Sequence, residues 1–206
     1  VFVEGISAAQ KLTVDSKTFT FFDWWGGGLE NAGDAPVVLD LPSKVVYSPH
    51  YYTPAVYPQL YFLKSGKVTG DVIENYVELD DASLLNRVKA TSHHMFGYLA
   101  GAQDAAIIPG EFGGLYTQDA HPLKTTQRVT QYMIEVLKQP GFAGGYLWAL
   151  NPESAYQYNP SDTVVNTYEG VLQSNWLEVN KPLLQAMTAM DSIPNVRPFP
   201  CFPEKN

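Results

Sequence analysis

The chain has 206 residues, of which 45% are hydrophobic, 13% aromatic and only 17% charged, with a formal net charge of −8. That length suits one domain with a sizeable core, and the apolar and aromatic content rules out a disordered chain. The acidic balance argues against nucleic acid or an anionic membrane as a partner, and no stretch reaches the ~20 apolar residues of a membrane span.

In chain order, Val1-Phe2-Val3-Glu4 reads as a strand already under way, which suggests that sequence precedes it. A long loop follows, through Phe21-Phe22-Asp23-Trp24-Trp25-Gly26-Gly27-Gly28. A second strand over residues 44–48 runs into Pro49-His50-Tyr51-Tyr52. The apolar spacing then predicts a helix over residues 82–99, with Ser83 or Asp81 as its N-cap. A third strand over residues 105–109 is continuously apolar, as strands buried on both faces of a parallel sheet are. It ends in Gly110-Glu111-Phe112-Gly113-Gly114, a carboxylate among glycines that turn tightly and leave room for a ligand.

A helix over residues 122–138 closes at Pro140-Gly141, and His121 before it is placed to cap. A fourth strand over residues 145–149 leads to Asn151-Pro152-Glu153-Ser154. The last helix spans residues 176–190, anchored by Trp176 and disturbed in its first turns by Pro182. Residues 194–206 form a Pro-rich extended tail holding Cys201, whose lack of a second cysteine excludes an internal disulfide. His93 and His94 are adjacent on a helix and face different directions, which suits surface and packing roles better than metal ligation. No metal site and no cofactor are expected.

Strands alternating with helices imply βαβ units and a parallel sheet. Four units amount to half of an eight-unit barrel. In such a barrel every strand end projects from one C-terminal rim, which here would gather Glu4, Trp24, Trp25, His50, Tyr52, Glu111, Trp148 and Asn151. Aromatic faces among convergent polar groups suit a neutral sugar.

Five motifs in order, Phe2-Val3-Glu4-Gly5, Trp24-Trp25-Gly26-Gly27, Val46-Tyr47-Ser48-Pro49-His50-Tyr51-Tyr52, Gly110-Glu111-Phe112-Gly113 and Trp148-Ala149-Leu150-Asn151-Pro152-Glu153-Ser154, resemble glycoside hydrolase family 5, the cellulase-type enzymes. The resemblance covers about residues 1–154 and implies a (β/α)8 TIM barrel. Residues 1–206 would be the C-terminal half of its catalytic domain, strands five to eight. It implies retaining hydrolysis of β-1,4-glucan, with Glu111 as nucleophile, Tyr52 bonded to it and His50 lining the cleavage subsite. Trp148 would form the floor beneath the sugar, and Trp24, Trp25 and Asn151 would add binding surface.

The family's acid/base lies in an Asn-Glu-Pro motif, and none occurs in this sequence. Glu4 matches the family's fifth strand, where the glutamate is not the acid/base, so none is assigned here. The implied partners are a β-glucan polysaccharide or oligosaccharide and the missing N-terminal half of the barrel. The implied setting is extracellular, although the chain shows no signal peptide. Without the acid the isolated chain should be inactive, and the alternative is a non-catalytic carbohydrate-binding remnant.

Overall fold

The structure is a computed structural model that describes residues 1–41, 43–69, 72–102, 105–160 and 166–193. Its elements in chain order are β1 (Phe2–Val3), β2 (Ala9–Val14), β3 (Lys17–Phe22), β4 (Val46–Tyr47), β5 (His50–Tyr52), β6 (Leu63–Thr69), β7 (Val72–Glu78), α1 (Asp81–Met95), β8 (Ala106–Ile107), β9 (Glu111–Gly113), α2 (Thr125–Leu137), β10 (Ala155–Tyr156), β11 (Thr167–Tyr168) and α3 (Lys181–Met187). The expected tail and Cys201 lie outside the described residues.

A parallel ladder in the order β1, β4, β8 forms the base, pairing Val3 with Tyr47 and Tyr47 with Ile107. Beyond it β5 and β9 pair in parallel, His50 opposite Glu111 and Tyr52 opposite Gly113. Pro49 and Pro109 separate the two ladders, because proline has no N–H to give. The chain bridges the gap through Ile108 N donating to the Tyr47 carbonyl and Gly110 N to that of Pro49, both at 2.9 Å.

The fourth expected strand, residues 145–149, forms no ladder: it meets the third run in a single bridge at Leu147, and the chain makes another bridge earlier, at Phe142. Ala143 N donates to the Ile107 carbonyl at 2.9 Å. Pro109 cannot return the next bond, so a regular ladder fails there. The described residues therefore make an open four-run parallel sheet and not a closed barrel. Adjacent strand residues face opposite ways. Tyr47 and Ile107 are fully buried. Val46 and Ala106, facing the other way, are half-buried, so the expected burial on both faces holds on one side only.

The covered face packs on two amphipathic helices. α1 buries Leu84, Val88, Thr91 and Met95, and α2 buries Val129, Met133, Val136 and Leu137. These positions recur at helical spacing, and the apolar ones join Ile107, Phe112 and Phe142 in one core.

Several expectations need correction. Neither Ser83 nor Asp81 caps α1: the Asp80 carboxylate accepts from Ser83 N at 2.8 Å, leaving Ser83 as the third helical residue. Asp119, not His121, caps α2, accepting from Thr126 N at 2.9 Å and Gln127 N at 3.1 Å. The last helix starts at Lys181, with Pro182 in its first turn, where its missing N–H costs nothing. Trp176 lies outside that helix and is 47% exposed, so it anchors no packing there. The stretch read as a long loop after β1 contains the β2–β3 hairpin, and a second hairpin, β6–β7, precedes α1.

Candidate active site

β5 and β9 run side by side and deliver their side chains to the C-terminal end of the sheet. Because His50 and Tyr52 are two apart, they share a face, while Tyr51 turns inward to bond Thr91 Oγ1 at 2.7 Å. His50 sits directly opposite Glu111 in the register. The Tyr52 hydroxyl donates to Glu111 Oε2. The phenol oxygen in turn lies 3.3 Å from His50 Nδ1. Burial first, and then the Glu111 carboxylate, push the Tyr52 phenol above its ordinary range, so it remains a proton-bearing donor.

His50 is held from every side. A Cβ at Gly26 would sit 3.0–3.2 Å from the imidazole ring, and one at Gly110 would meet Ser48 Oγ at 2.5 Å. Only glycine leaves this slot open, and Gly26 also takes φ +75°. His50 Nδ1 lies 3.8 Å from Glu111 Oε2, and its Nε2 lies 3.7 Å from Glu4 Oε1. The side chains are 12% exposed for His50, 29% for Glu111 and 62% for Glu4, so the carboxylates open toward solvent and the imidazole does not.

The aromatic residues separate. Trp24 is buried, edge-on to Tyr52 at a ring distance of 5.6 Å and stacked on Phe62. Its assignment to sugar-binding surface is corrected: it supports Tyr52 from behind. Trp25, on the same turn, is 82% exposed. Trp148 is 44% exposed, and its backbone N–H donates to the carbonyl of Phe112, the residue after Glu111, at 2.8 Å; its peptide to Ala149 is cis. Asn151 spends its side-chain oxygen on Glu153 N at 2.7 Å, so that atom shapes its own loop.

Two structural devices near the site went unread in the sequence. Buried Glu169 accepts from the backbone N–H groups of Tyr116, Thr117 and Gln118 and from Asn180 Nδ2 at 2.6 Å. It thereby ties the segment after β9 to the segment before α3. Asp23 and Glu30, flanking the Trp24–Gly28 turn, hydrogen-bond to each other; burial raises both, Glu30 to about 8. One shared proton keeps two carboxyls together in a site that would reject two charges. No signal in the sequence marks either device, because the partners are backbone amides or residues brought together only by the fold.

Among the described residues no group of three His, Cys, Asp or Glu is placed to hold a metal ion. No described helix is long and apolar enough to cross a membrane.

Comparison with known proteins matches residues 1–154 to the cellulase family, glycosyl hydrolase family 5. An endoglucanase of Paenibacillus polymyxa is 30% identical over 161 residues, covering 77% of this chain and 32% of the relative. The major extracellular endoglucanase of Xanthomonas campestris pv. campestris is 28% identical over 87% of this chain and 29% of its own length. Among solved structures, a hyperthermophilic endocellulase of the archaeon Pyrococcus horikoshii superposes with a TM-score of 0.59 at 27% identity, over 82% of this chain and 37% of that one. A complex of that endocellulase with cellotetraose matches with the same TM-score at 26% identity. The chain thus spans 29–37% of the length of these relatives.

Proposed function

The chain belongs to glycosyl hydrolase family 5, the cellulases, and we propose that it carries the nucleophile-bearing half of a retaining β-1,4-glucan hydrolase. One observation carries this reading: the Tyr52 hydroxyl donates to Glu111 at the C-terminal end of a parallel sheet, beside His50 and open to solvent. In α/β barrels that end bears the chemistry. The fold class of the whole domain is the (β/α)8 barrel of its structural relatives, to which the four runs seen here contribute strands five to eight.

In this reading Glu111 attacks the anomeric carbon, forming a glycosyl-enzyme ester as the glycosidic oxygen departs. Tyr52 holds the attacking oxygen in line and, staying protonated, never competes as a second anion. Water then attacks the same carbon and releases Glu111. Such a double displacement needs a second carboxyl about 5–5.5 Å from the first to give and then take a proton. No Asn-Glu-Pro is present, and we assign that acid/base to residues outside these 206. Trp148 offers its face to the sugar, and exposed Trp25 extends the surface. Cellotetraose, the ligand of the archaeal relative, supports a β-1,4-linked glucan as substrate. The extracellular Xanthomonas relative supports secretion.

The test is hydrolysis of a soluble β-1,4-glucan by the enzyme containing this chain together with its acid/base. Glu111→Gln keeps the shape and removes the nucleophile, and activity should vanish. Retention of activity would overturn the reading.

A further inference from the structure

We propose that Trp176 is a second sugar platform, holding a glucosyl unit of the β-glucan chain beyond the unit that rests on Trp148. The inference rests on the reading of the protein as part of a β-glucan hydrolase and extends it to a residue with no assigned role.

Topology puts Trp176 at the same end of the sheet as Glu111. It lies on the connection that runs from the fourth parallel run, just past Trp148, to α3. Connections that leave the C-terminal ends of parallel strands gather on the face that bears the chemistry. This one folds back beside its own start. Val171 N donates to the Ala149 carbonyl at 2.9 Å and Leu172 N to that of Leu150 at 3.1 Å, so the residues after Trp148 carry the base of a small hairpin. Leu172 bridges Val179, and Gln173 N donates to the Glu178 carbonyl at 2.8 Å. Trp176 stands at the tip, and its indole nitrogen lies 3.5 Å from Glu153 Oε1, on the turn that follows Trp148.

The tip presents this ring at a fixed place. Trp176 takes φ +58°, a backbone conformation that bulky side chains avoid. Its backbone N–H is spent on the Gln173 carbonyl at 2.8 Å, and Asn175 Oδ1 accepts from Leu177 N and Glu178 N, both at 3.0 Å. The turn is closed by its own hydrogen bonds, yet Trp176 is 47% exposed. A strained backbone that holds an aromatic face open to water points to binding, and a face already fixed costs little further ordering when a ligand lands on it.

The surroundings choose the ligand. Beside the hairpin, Gln118, Pro152, Tyr168, Gln173 and Ser174 line a cavity of about 350 Å³. Among the described residues that line it only Glu169 is charged, and its oxygens are taken by three backbone N–H groups and Asn180. Amides, hydroxyls and an aromatic ring with no free charge suit a neutral polyhydroxylated chain and not an ion.

The experiment measures affinity for cello-oligosaccharides of increasing length by calorimetric titration. The parent is the enzyme that includes its acid/base, carrying Glu111→Gln to prevent cleavage, and Trp176→Ala and Trp176→Phe are added to it. We expect Trp176→Ala to weaken cellohexaose about tenfold and cellobiose not at all, with Tm unchanged. Trp176→Phe, which keeps an aromatic face, should recover most of the loss. Unaltered affinity at every length would overturn the proposal, and so would an equal loss at every length, which a disturbed fold would give. Dimerisation in the absence of glucan, abolished by Trp176→Ala, would assign the ring to a second copy of the chain and also overturn it. A parent that binds no cello-oligosaccharide would overturn the β-glucan reading beneath the proposal, and a parent that still cleaves them would overturn the nucleophile alone. The failures are therefore distinguishable.

Discussion

The hydroxyl of Tyr52 and the carboxylate of Glu111 meet across two neighbouring strands, although 59 residues separate them in the chain. Tyr52 pairs with Gly113, two residues past Glu111, so the phenol must lean back along the sheet to reach the carboxylate. Gly110, before Glu111, leaves the space that Ser48 and the His50 ring occupy.

Removing only that hydroxyl tests its contribution. A hydrogen bond to a charged group is worth about 1.5–3 kcal/mol, which corresponds to about 10- to 100-fold in rate if it acts in the transition state. Tyr52→Phe should therefore lower kcat by that factor with little change in KM. Steady-state kinetics on a soluble β-glucan measures it, and a pure KM effect would place the hydroxyl in substrate binding instead.

The two tryptophans divide along the line of burial. Trp24→Ala empties a core site against Phe62 and Tyr52 and should cost about 3–5 kcal/mol in unfolding free energy. Trp148→Ala removes an exposed face and should leave Tm unchanged while raising KM roughly tenfold. Denaturation curves and kinetics on the two variants would show the reverse pattern if Trp24 were the sugar platform.

The site was more legible in the sequence than the scaffold around it. Glu111 stands out because glycines and an apolar strand flank it, while His50 and Tyr52 follow the end of the second strand and are tied to Glu111 by the family resemblance. The β2–β3 hairpin is hidden in what reads as a long loop, although Phe19 and Phe21 alternate with Thr18 and Thr20 along its second strand. Its two strands are short and half-exposed, and the apolar period-2 signal starts only at Phe19. Trp24 could not be told from Trp25 by type or position, because a tight turn sends consecutive side chains to opposite sides. Glu169 gave no signal, since its partners are three backbone amides from a distant loop and the Asn180 side chain, brought together only by the fold.

Glu169 should prove structural. Glu169→Gln replaces one accepting oxygen with an amide that itself donates, facing the N–H groups of Tyr116, Thr117 and Gln118. Losing a charge-assisted bond of this kind costs about 1.5–3 kcal/mol, so Tm should fall. A variant as stable as wild type would show that the loop after β9 holds without it.

The Asp23–Glu30 pair predicts how stability follows pH. Burial first, then the hydrogen bond that protonated Glu30 donates to Asp23, raise Glu30 to about 8 in the fold against 4.5 for the free group. Between those values the folded chain holds a proton that the unfolded chain has released. Stability must then fall as pH rises from about 5 to about 8, and the contribution is complete below the lower value. Tm measured across that range should decline, and Glu30→Gln should flatten the decline. A profile identical in the variant would remove the shared proton from the account.

The nucleophile itself can be marked. A fluorinated β-cellobioside with a good leaving group forms the glycosyl-enzyme ester readily and slows its hydrolysis, so the attacking carboxylate keeps the sugar. The enzyme containing this chain and its acid/base is treated with the reagent, digested and read by mass spectrometry. The account predicts the added mass on the peptide bearing Glu111 and its absence in Glu111→Gln. A label on another carboxylate, Glu4 included, or hydrolysis of substrate with no label at all, would contradict it.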